Sequence, residues 1–122
     1  MRALVVDDSK TMRTIIGRIL KQQGFEVAEA GDGKEALERL ASIGACDVAL
    51  VDWNMPTMNG YELVCAVRAD ASYAGMKMLM VTTESDLARV QQALEAGADE
   101  FVMKPFTPEA LQDKLAMLGV TP

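Results

Sequence analysis

The feature that most constrains the fold is a regular alternation between short apolar runs and segments whose apolar residues recur at helical spacing. The runs are too short to be helices, and the first is apolar throughout, as is typical of a strand buried on both faces of a parallel sheet. In chain order they cover residues 3–6, 25–28, 47–51, 76–81 and 100–103. A helical segment follows each run, so the sequence predicts five consecutive βα units.

The predicted helices begin and end at recognisable residues. The first helix carries its apolar residues at helical spacing, and Gly24 follows as a stop. Further helices are predicted over 34–43, 61–69 and 85–96, and the last opens with Thr107 as its cap and a proline at its first position. Crossovers this short favour an open sheet with helices on both faces, whereas a closed eight-stranded barrel needs about twice this length of chain.

Composition and charge restrict the possible functions. The 122 residues, 50% apolar and 25% charged, match one soluble domain with a single core. No apolar run reaches the roughly 18 residues of a membrane span, so we expect a cytoplasmic protein. The net charge of −6 argues against direct binding of nucleic acid and favours a basic partner surface. The chain has no histidine, which excludes histidine zinc sites, Ser-His-Asp triads and a phosphohistidine donor.

The sulfur-containing residues are predicted to serve packing. Cys46 and Cys65 lack the spacing of a metal motif, and we expect two buried thiols instead of a disulfide. Met76, Met78 and Met80 alternate along a predicted strand, so they are expected to line one of its buried faces.

Acid, hydroxyl and ammonium groups stand where the apolar runs end. Asp7 and Asp8 follow the first run, Asp52 the third, Thr82 the fourth and Lys104 the fifth. Because the carboxyl ends of parallel strands lie at one edge of a sheet, we expect these groups to share a pocket. Carboxylates this close repel one another until a hard divalent cation binds between them. The pattern therefore predicts magnesium-assisted phosphoryl transfer to an aspartate.

Each of these residues also has an ordinary structural explanation when it is taken alone. Asp7 or Asp8 would cap the first helix, and Asp52 would begin an Asx turn. Lys104 would be a solvated cation, and Thr82 would be a strand residue chosen for its β-propensity. Only their shared position at strand ends favours a site.

Four stretches together resemble the receiver domain of two-component response regulators. They are residues 5–8, 52–60, 81–82 and 104–106. The resemblance covers essentially the whole chain, so residues 1–122 are expected to form one receiver domain. It implies a flavodoxin-like, doubly wound α/β fold, with a five-stranded parallel sheet in the order 2-1-3-4-5 and five helices. It also implies a cis Lys104–Pro105 bond. The Asp-Trp-Asn-Met-Pro stretch is most similar to the chemotaxis regulators of this family.

The resemblance implies an acceptor and a metal site. Asp52 would accept a phosphoryl group from a histidine kinase. Asp8, the Asp52 carboxylate and the backbone carbonyl of Asn54 would bind Mg²⁺, and Asp7 would act through water. The protein would not be a conventional enzyme, because it would catalyse only its own phosphorylation and dephosphorylation.

Other residues would hold the phosphoryl group and set its lifetime. By the same resemblance, Lys104 would pair with one phosphoryl oxygen, and the Thr82 hydroxyl would donate to another. The backbone amide of Thr83 would also donate to an equatorial phosphoryl oxygen. Asn54 and Glu84 lie at positions from which the family controls the approach of water, so we expect them to tune hydrolysis.

The resemblance also implies a switch. Thr82 would move toward the phosphoryl group and Phe101 would turn inward, remodelling the face of the fourth helix, fifth strand and fifth helix for a downstream protein. Core packing explains Phe101 equally well. Chemotaxis regulators usually have tyrosine at this position and lysine where Leu87 stands. Leu87, Val90, Leu94 and Phe101 either form an apolar patch or lie in the core, so a monomer, a dimer through this face and a target other than the flagellar motor all stay open.

Three other functions remain possible at this stage. The first is the receiver half of a larger regulator, such as a transcription factor, cut after its fifth helix. A haloacid-dehalogenase-type phosphatase needs a second acid two residues after its nucleophile, where this chain has Asn54 after Asp52 or Ser9 after Asp7. A flavodoxin-like FMN carrier should offer hydroxyls and glycines to a phosphate, which Asp7 and Asp8 would repel.

Overall fold

The computed structural model describes the backbone of residues 1–122 and every side chain except that of Glu84. One parallel sheet has the strand order β2-β1-β3-β4-β5. Its strands are β1 (Arg2–Val6), β2 (Glu26–Ala30), β3 (Val48–Asp52), β4 (Lys77–Thr82) and β5 (Glu100–Met103). The α-helices are α1 (Lys10–Gln22), α2 (Gly33–Ile43), α3 (Gly60–Arg68), α4 (Val90–Ala96) and α5 (Pro108–Met117). The predicted doubly wound fold is confirmed.

The core has two layers because alternate strand residues point to opposite faces of the sheet. Leu4 and Val6 of β1 pack on the side covered by α2, α3 and α4, whereas Ala3 and Val5 pack beneath α1 and α5. The inward side chains of the strands are almost completely buried. Burial of each large apolar side chain contributes about 1.5–3 kcal/mol. Among the described residues, none of the helices has both the length and the apolar character that a bilayer span requires.

Side-chain caps fix where the helices begin. The Ser9 hydroxyl accepts a hydrogen bond from the backbone amide of Met12 at the start of α1. Asn59 begins α3 in the same way, and Thr107 begins α5 with the predicted proline after it. The interpretation of Asp7 or Asp8 as the cap of α1 is therefore wrong. The Asp7 carboxylate instead accepts a hydrogen bond from the backbone amide of Ser9 at 2.9 Å.

The largest departure from the predicted elements is at residues 85–96. Instead of one α-helix, the chain forms a 3₁₀ segment over Glu84–Arg89 and then the short helix α4. The polar side chains at its start bond to one another: the hydroxyls of Thr83 and Ser85 are 2.9 Å apart, and Thr83 donates to Asp86 at 3.2 Å. Such local bonds compete with α-helical geometry. Strand β2 also begins one residue later and ends two residues later than predicted.

The predictions for sulfur-containing residues are confirmed in part. Met76, Met78 and Met80 are buried on one face of the sheet, as expected. Both thiols are free, and Cys46 is buried, which raises its pKa. Cys65 is exposed, so the prediction of a second buried thiol is wrong, because the buried face of α3 is formed by other residues of that helix.

Candidate functional site

The strand order reverses between β1 and β3, since the chain returns from β2 to the other side of β1. Ligands of open α/β sheets bind at the carboxyl ends of the strands at such a point. Asp7 and Asp8 follow β1 directly, and Asp52 is the last residue of the adjacent β3. Thr82 ends β4, and Lys104 follows β5. The topology thus brings together all five residues that the sequence placed at strand ends.

The three acids form one cluster. One carboxylate oxygen from each of Asp7, Asp8 and Asp52 lies within 4.8 Å of the others. The Lys104 ammonium is 3.2 Å from an Asp7 oxygen and 3.1 Å from an Asp52 oxygen. Asp7 is buried, Asp52 is partly buried and Asp8 is exposed. Lys104 pairs with only two of the three carboxylates, so the cluster suits a hard divalent cation with oxygen ligands.

The pKa values show how the charges oppose one another. The pKa of Asp52 is raised above its ordinary value, chiefly by burial and then by the negative charge of Asp7, although Lys104 acts in the opposite sense. Burial by itself would lower the pKa of Lys104, but Asp52 and Asp7 outweigh it and raise that pKa. Lys104 therefore stays charged at neutral pH, and the Asp52 anion is stabilised further by any added cation.

The end of β4 supplies a buried hydroxyl. Thr82 is 1% exposed, and its hydroxyl donates to the neighbouring carbonyl of Thr83 at 3.3 Å, a long contact for an O–H···O bond. The backbone amide of Lys104 donates to the Thr82 carbonyl at 2.7 Å, which joins the ends of β4 and β5. The Lys104–Pro105 bond is cis, as the family resemblance implied.

The loop between β3 and α3 packs tightly against the candidate acceptor. The backbone amide of Gly60 donates to the Trp53 carbonyl at 3.0 Å. A Cβ at Gly60 would lie 2.5 Å from the Asp52 carbonyl oxygen, so only glycine fits. Asn54 is exposed, and its amide donates to an Asp86 carboxylate oxygen at 2.9 Å.

The four residues of the possible apolar patch differ in burial. Val90 is buried, Leu94 and Phe101 are partly buried, and Leu87 is 38% exposed. Core packing therefore describes Val90 and, in part, Leu94 and Phe101, which pack against the core, whereas Leu87 is the exposed member of the four. The Lys114 ammonium lies 5.1 Å from the centre of the Phe101 ring, a cation–π contact. The side chain of Glu84 lies outside what the structure describes.

Sequence reasoning missed two residues that contact the site. The Arg13 guanidinium donates to the Asp7 carbonyl at 2.6 Å and pairs with Glu29 at 3.2 Å. Asp86 accepts the hydrogen bond from Asn54. The sequence did indicate them by position. Arg13 lies one turn after the cap of α1, and Asp86 lies four residues after Thr82.

Comparisons with known proteins show the family to which the chain belongs. The family model of the response regulator receiver domain matches residues 3–116. The chain belongs to the response regulator receiver family. A receiver-family relative named chemotaxis protein CheY1, from Helicobacter pylori, is 46% identical over 119 residues, covering 97% of this chain and 96% of that protein. A chemotaxis protein CheY homolog from Campylobacter jejuni is 49% identical over 116 residues, covering 94% of this chain and 89% of its own.

Solved structures of receiver proteins place the fold in the same family. Chemotaxis protein CheY4 of Vibrio cholerae superimposes with a TM-score of 0.88 at 39% identity, covering 95% of this chain and 96% of that one. A probable response regulator/GGDEF domain protein gives a TM-score of 0.89 at 32% identity, but this chain covers only 48% of it. Receiver domains are signalling modules and not conventional enzymes, so the phosphatase and FMN-carrier alternatives are set aside.

Proposed function

We propose that this receiver protein accepts a phosphoryl group from a histidine kinase on Asp52, with Mg²⁺, and then regulates a partner protein in chemotaxis. The observation that carries the proposal is the cluster of Asp7, Asp8, Asp52 and Lys104 at the switch point of the sheet. The full-length similarity to proteins named for chemotaxis favours this role over the receiver half of a transcription factor.

The residues of the cluster fit a Mg²⁺ site. Asp8, Asp52 and the backbone carbonyl of Asn54 would hold the ion, and Asp7 would act through water. The bound ion would supply positive charge to the transferring phosphoryl group. Asp52 would attack in line, and Lys104, already between two carboxylates, would neutralise charge on the phosphoryl oxygens. Phosphoryl transfer has a loose transition state, so this positioning and neutralisation are most of the catalysis required.

The end of β4 would respond to the negative charge of the phosphoryl group. The Thr82 hydroxyl makes only a long hydrogen bond to the Thr83 carbonyl. This supports the proposal that it would exchange that acceptor for a phosphoryl oxygen. The backbone amide of Thr83 would donate to another oxygen, while Asn54 and Glu84 would tune hydrolysis. Phe101 would turn inward as Thr82 moves, altering the face formed by α4, β5 and α5.

The partners follow from this scheme. A histidine kinase would supply the phosphoryl group in the cytoplasm, and the downstream protein would bind the α4-β5-α5 face, where Leu87 is 38% exposed. The chain would act as one receiver domain over residues 1–122, as a monomer or a phosphorylation-linked dimer. Neither nucleic acid nor the membrane is expected to be contacted directly, given the net charge of −6.

Intact mass spectrometry after incubation with acetyl phosphate and Mg²⁺ tests the proposal. We expect one phosphate adduct on the unmodified protein, no adduct with EDTA and none on Asp52→Asn. Asp113→Asn, which removes an exposed acid of α5, is the matched control and should be phosphorylated normally. Beryllofluoride should also change the fluorescence of Trp53, the single tryptophan. An adduct that persists in Asp52→Asn, or no adduct at all, would contradict the proposal.

A further inference from the structure

A polar bridge joins the β3–α3 loop to the 3₁₀ segment Glu84–Arg89 beside the site. The Asn54 side-chain amide donates to Asp86 Oδ2 at 2.9 Å. The Thr83 hydroxyl donates to the same oxygen at 3.2 Å. One carboxylate therefore connects the residue two positions after Asp52 with the residue that follows Thr82.

Asp86 is held in a single arrangement by several contacts. Its side chain is only 13% exposed, and its backbone amide donates to the Thr83 carbonyl at 3.1 Å. Its second carboxylate oxygen faces Arg89, whose guanidinium is 4.0 Å away and largely exposed. A hydrogen bond to a carboxylate is about twice as strong as one between neutral groups. The bond from Asn54 to Asp86 therefore restricts a side chain that would otherwise move freely in solvent.

We propose that Asp86 is a positioning residue that holds the Asn54 side chain beside the phosphoryl group and so prolongs the life of the aspartyl phosphate. This inference rests on the proposed function. In hydrolysis, a water oxygen bonds to phosphorus while the bond from phosphorus to the Asp52 oxygen breaks. The products are the Asp52 carboxylate and inorganic phosphate, which keeps both protons of the water. Asn54 is exposed and lies two residues after Asp52, so its side chain can restrict the approach of water if it is held in place.

The bridge also links the lifetime of the phosphoryl group to the switch. Thr83 contacts the same carboxylate oxygen as Asn54, and the preceding Thr82 carries the hydroxyl that would turn toward the phosphoryl group. Movement of this segment would strain the contacts of Asp86 and loosen Asn54. A partner that holds the 3₁₀ segment in place would keep the bridge formed, and hydrolysis would then be slower.

The decay of the phosphorylated protein, followed by intact mass after removal of acetyl phosphate, tests the inference. Asp86→Ala removes the acceptor of the Asn54 amide and should shorten the lifetime of the aspartyl phosphate about fivefold. This corresponds to a small decrease in the activation free energy of hydrolysis. Asp86→Asn keeps an acceptor oxygen for the Asn54 amide and should stay within about twofold of the unmodified protein. Asp113→Ala, an exposed acid on α5, should leave the lifetime unchanged.

A double-mutant cycle distinguishes loss of the Asn54–Asp86 hydrogen bond from a general effect of removing the negative charge of Asp86. Asn54→Ala breaks the same bond from the other side, so Asn54→Ala/Asp86→Ala should decay no faster than the faster single variant. Amide hydrogen exchange over residues 84–89 should also be faster in Asp86→Ala than in Asp86→Asn, even without phosphate.

Three outcomes would overturn the inference while leaving the proposed function intact. They are an unchanged lifetime in Asp86→Ala, equal shortening in Asp86→Ala and Asp86→Asn, and effects that multiply in the double variant. Absence of any adduct on the unmodified protein would instead overturn the proposed function, and this inference with it.

Discussion

Asp52 carries its negative charge in surroundings that disfavour it. The carboxylate is partly buried and close to Asp7, and Lys104 compensates for only part of the repulsion. A group whose pKa is raised on folding adds stability at pH values below its unfolded pKa, about 3.9 for aspartate. That stability is lost as pH rises through the raised folded pKa. At neutral pH without metal, the ionised Asp52 therefore destabilises the fold.

Replacing this carboxylate with a neutral amide should relieve the repulsion. In EDTA at pH 7, Asp52→Asn should raise the thermal midpoint by a few degrees, equivalent to about 1 kcal/mol. The difference from the unmodified protein should shrink as pH falls through the raised pKa of Asp52. Thermal unfolding followed by circular dichroism at several pH values measures this, with Asp113→Asn as control. A midpoint that falls at pH 7 would contradict the electrostatic account.

The site residues differ in how far the sequence could predict them. Asp7, Asp52 and Lys104 were predictable because each ends an apolar run, and parallel topology then forces their approach. Arg13 and Asp86 were not, because their partners lie on other elements and are chosen by side-chain reach. The metal ligands and the roles of the threonines come from family resemblance and stay predictions.

At the scale of elements, Arg68 at the end of α3 joins this helix to two connecting segments. Its guanidinium donates to the carbonyls of Gly97 at 2.9 Å, Tyr73 at 3.0 Å and Met76 at 2.7 Å, and pairs with Asp99 at 2.9 Å. Tyr73 and Met76 lie between α3 and β4, whereas Gly97 and Asp99 lie between α4 and β5. A planar group with five N–H donors suits this arrangement.

Removal of the guanidinium should loosen these connections together. Arg68→Ala should lower the free energy of unfolding by about 3 kcal/mol, because it removes the side-chain donor of three carbonyls and leaves the Asp99 carboxylate with only its bond from the Met78 amide. Arg68→Lys should recover less than half, since a single ammonium cannot reach all four acceptors. Urea denaturation measures both variants. Arg39→Ala, an exposed arginine of α2, should change stability by less than about 0.5 kcal/mol. Equal effects at the two arginines would contradict this account.

The bounds of helices and strands show which structural features the spacing of apolar residues can predict and which it cannot. The bounds of β5 were predicted correctly, and the start of α5 followed from its threonine and proline. The 85–96 segment was predicted as one helix because its apolar residues keep helical spacing, a pattern that cannot distinguish a 3₁₀ start from an α-helical one. The local bonds of Thr83 and Asp86 decide between them.

At the scale of the whole molecule, the pattern of five βα units was enough to predict the layers and the parallel sheet. The strand order was not derivable from periodicity, since the same units permit several arrangements. It came from the family resemblance and is confirmed by the pairing of β1 with both β2 and β3.

The acidic cluster predicts, for the molecule as a whole, that Mg²⁺ stabilises the fold. A ligand that binds only the folded state adds RT ln(1 + [L]/Kd), about 1.4 kcal/mol at ten times Kd. The thermal midpoint in millimolar Mg²⁺ should therefore exceed that in EDTA, at matched ionic strength. Asp8→Asn, which replaces an exposed member of the cluster, should lose most of this difference and keep the fold. Coincident midpoints for the unmodified protein would contradict the prediction.

Both ends of the chain lie at the edge of the sheet opposite the acidic cluster. The Met1 carbonyl accepts a hydrogen bond from the amide of Glu26 at 2.9 Å, and Pro122 lies against Gly24. A five-residue strand separates the two edges by about 17 Å. A short linker between the ends would give a circular permutant with its reactive edge undisturbed. Tethered to a sensor surface through either end, the protein would present that edge to solution.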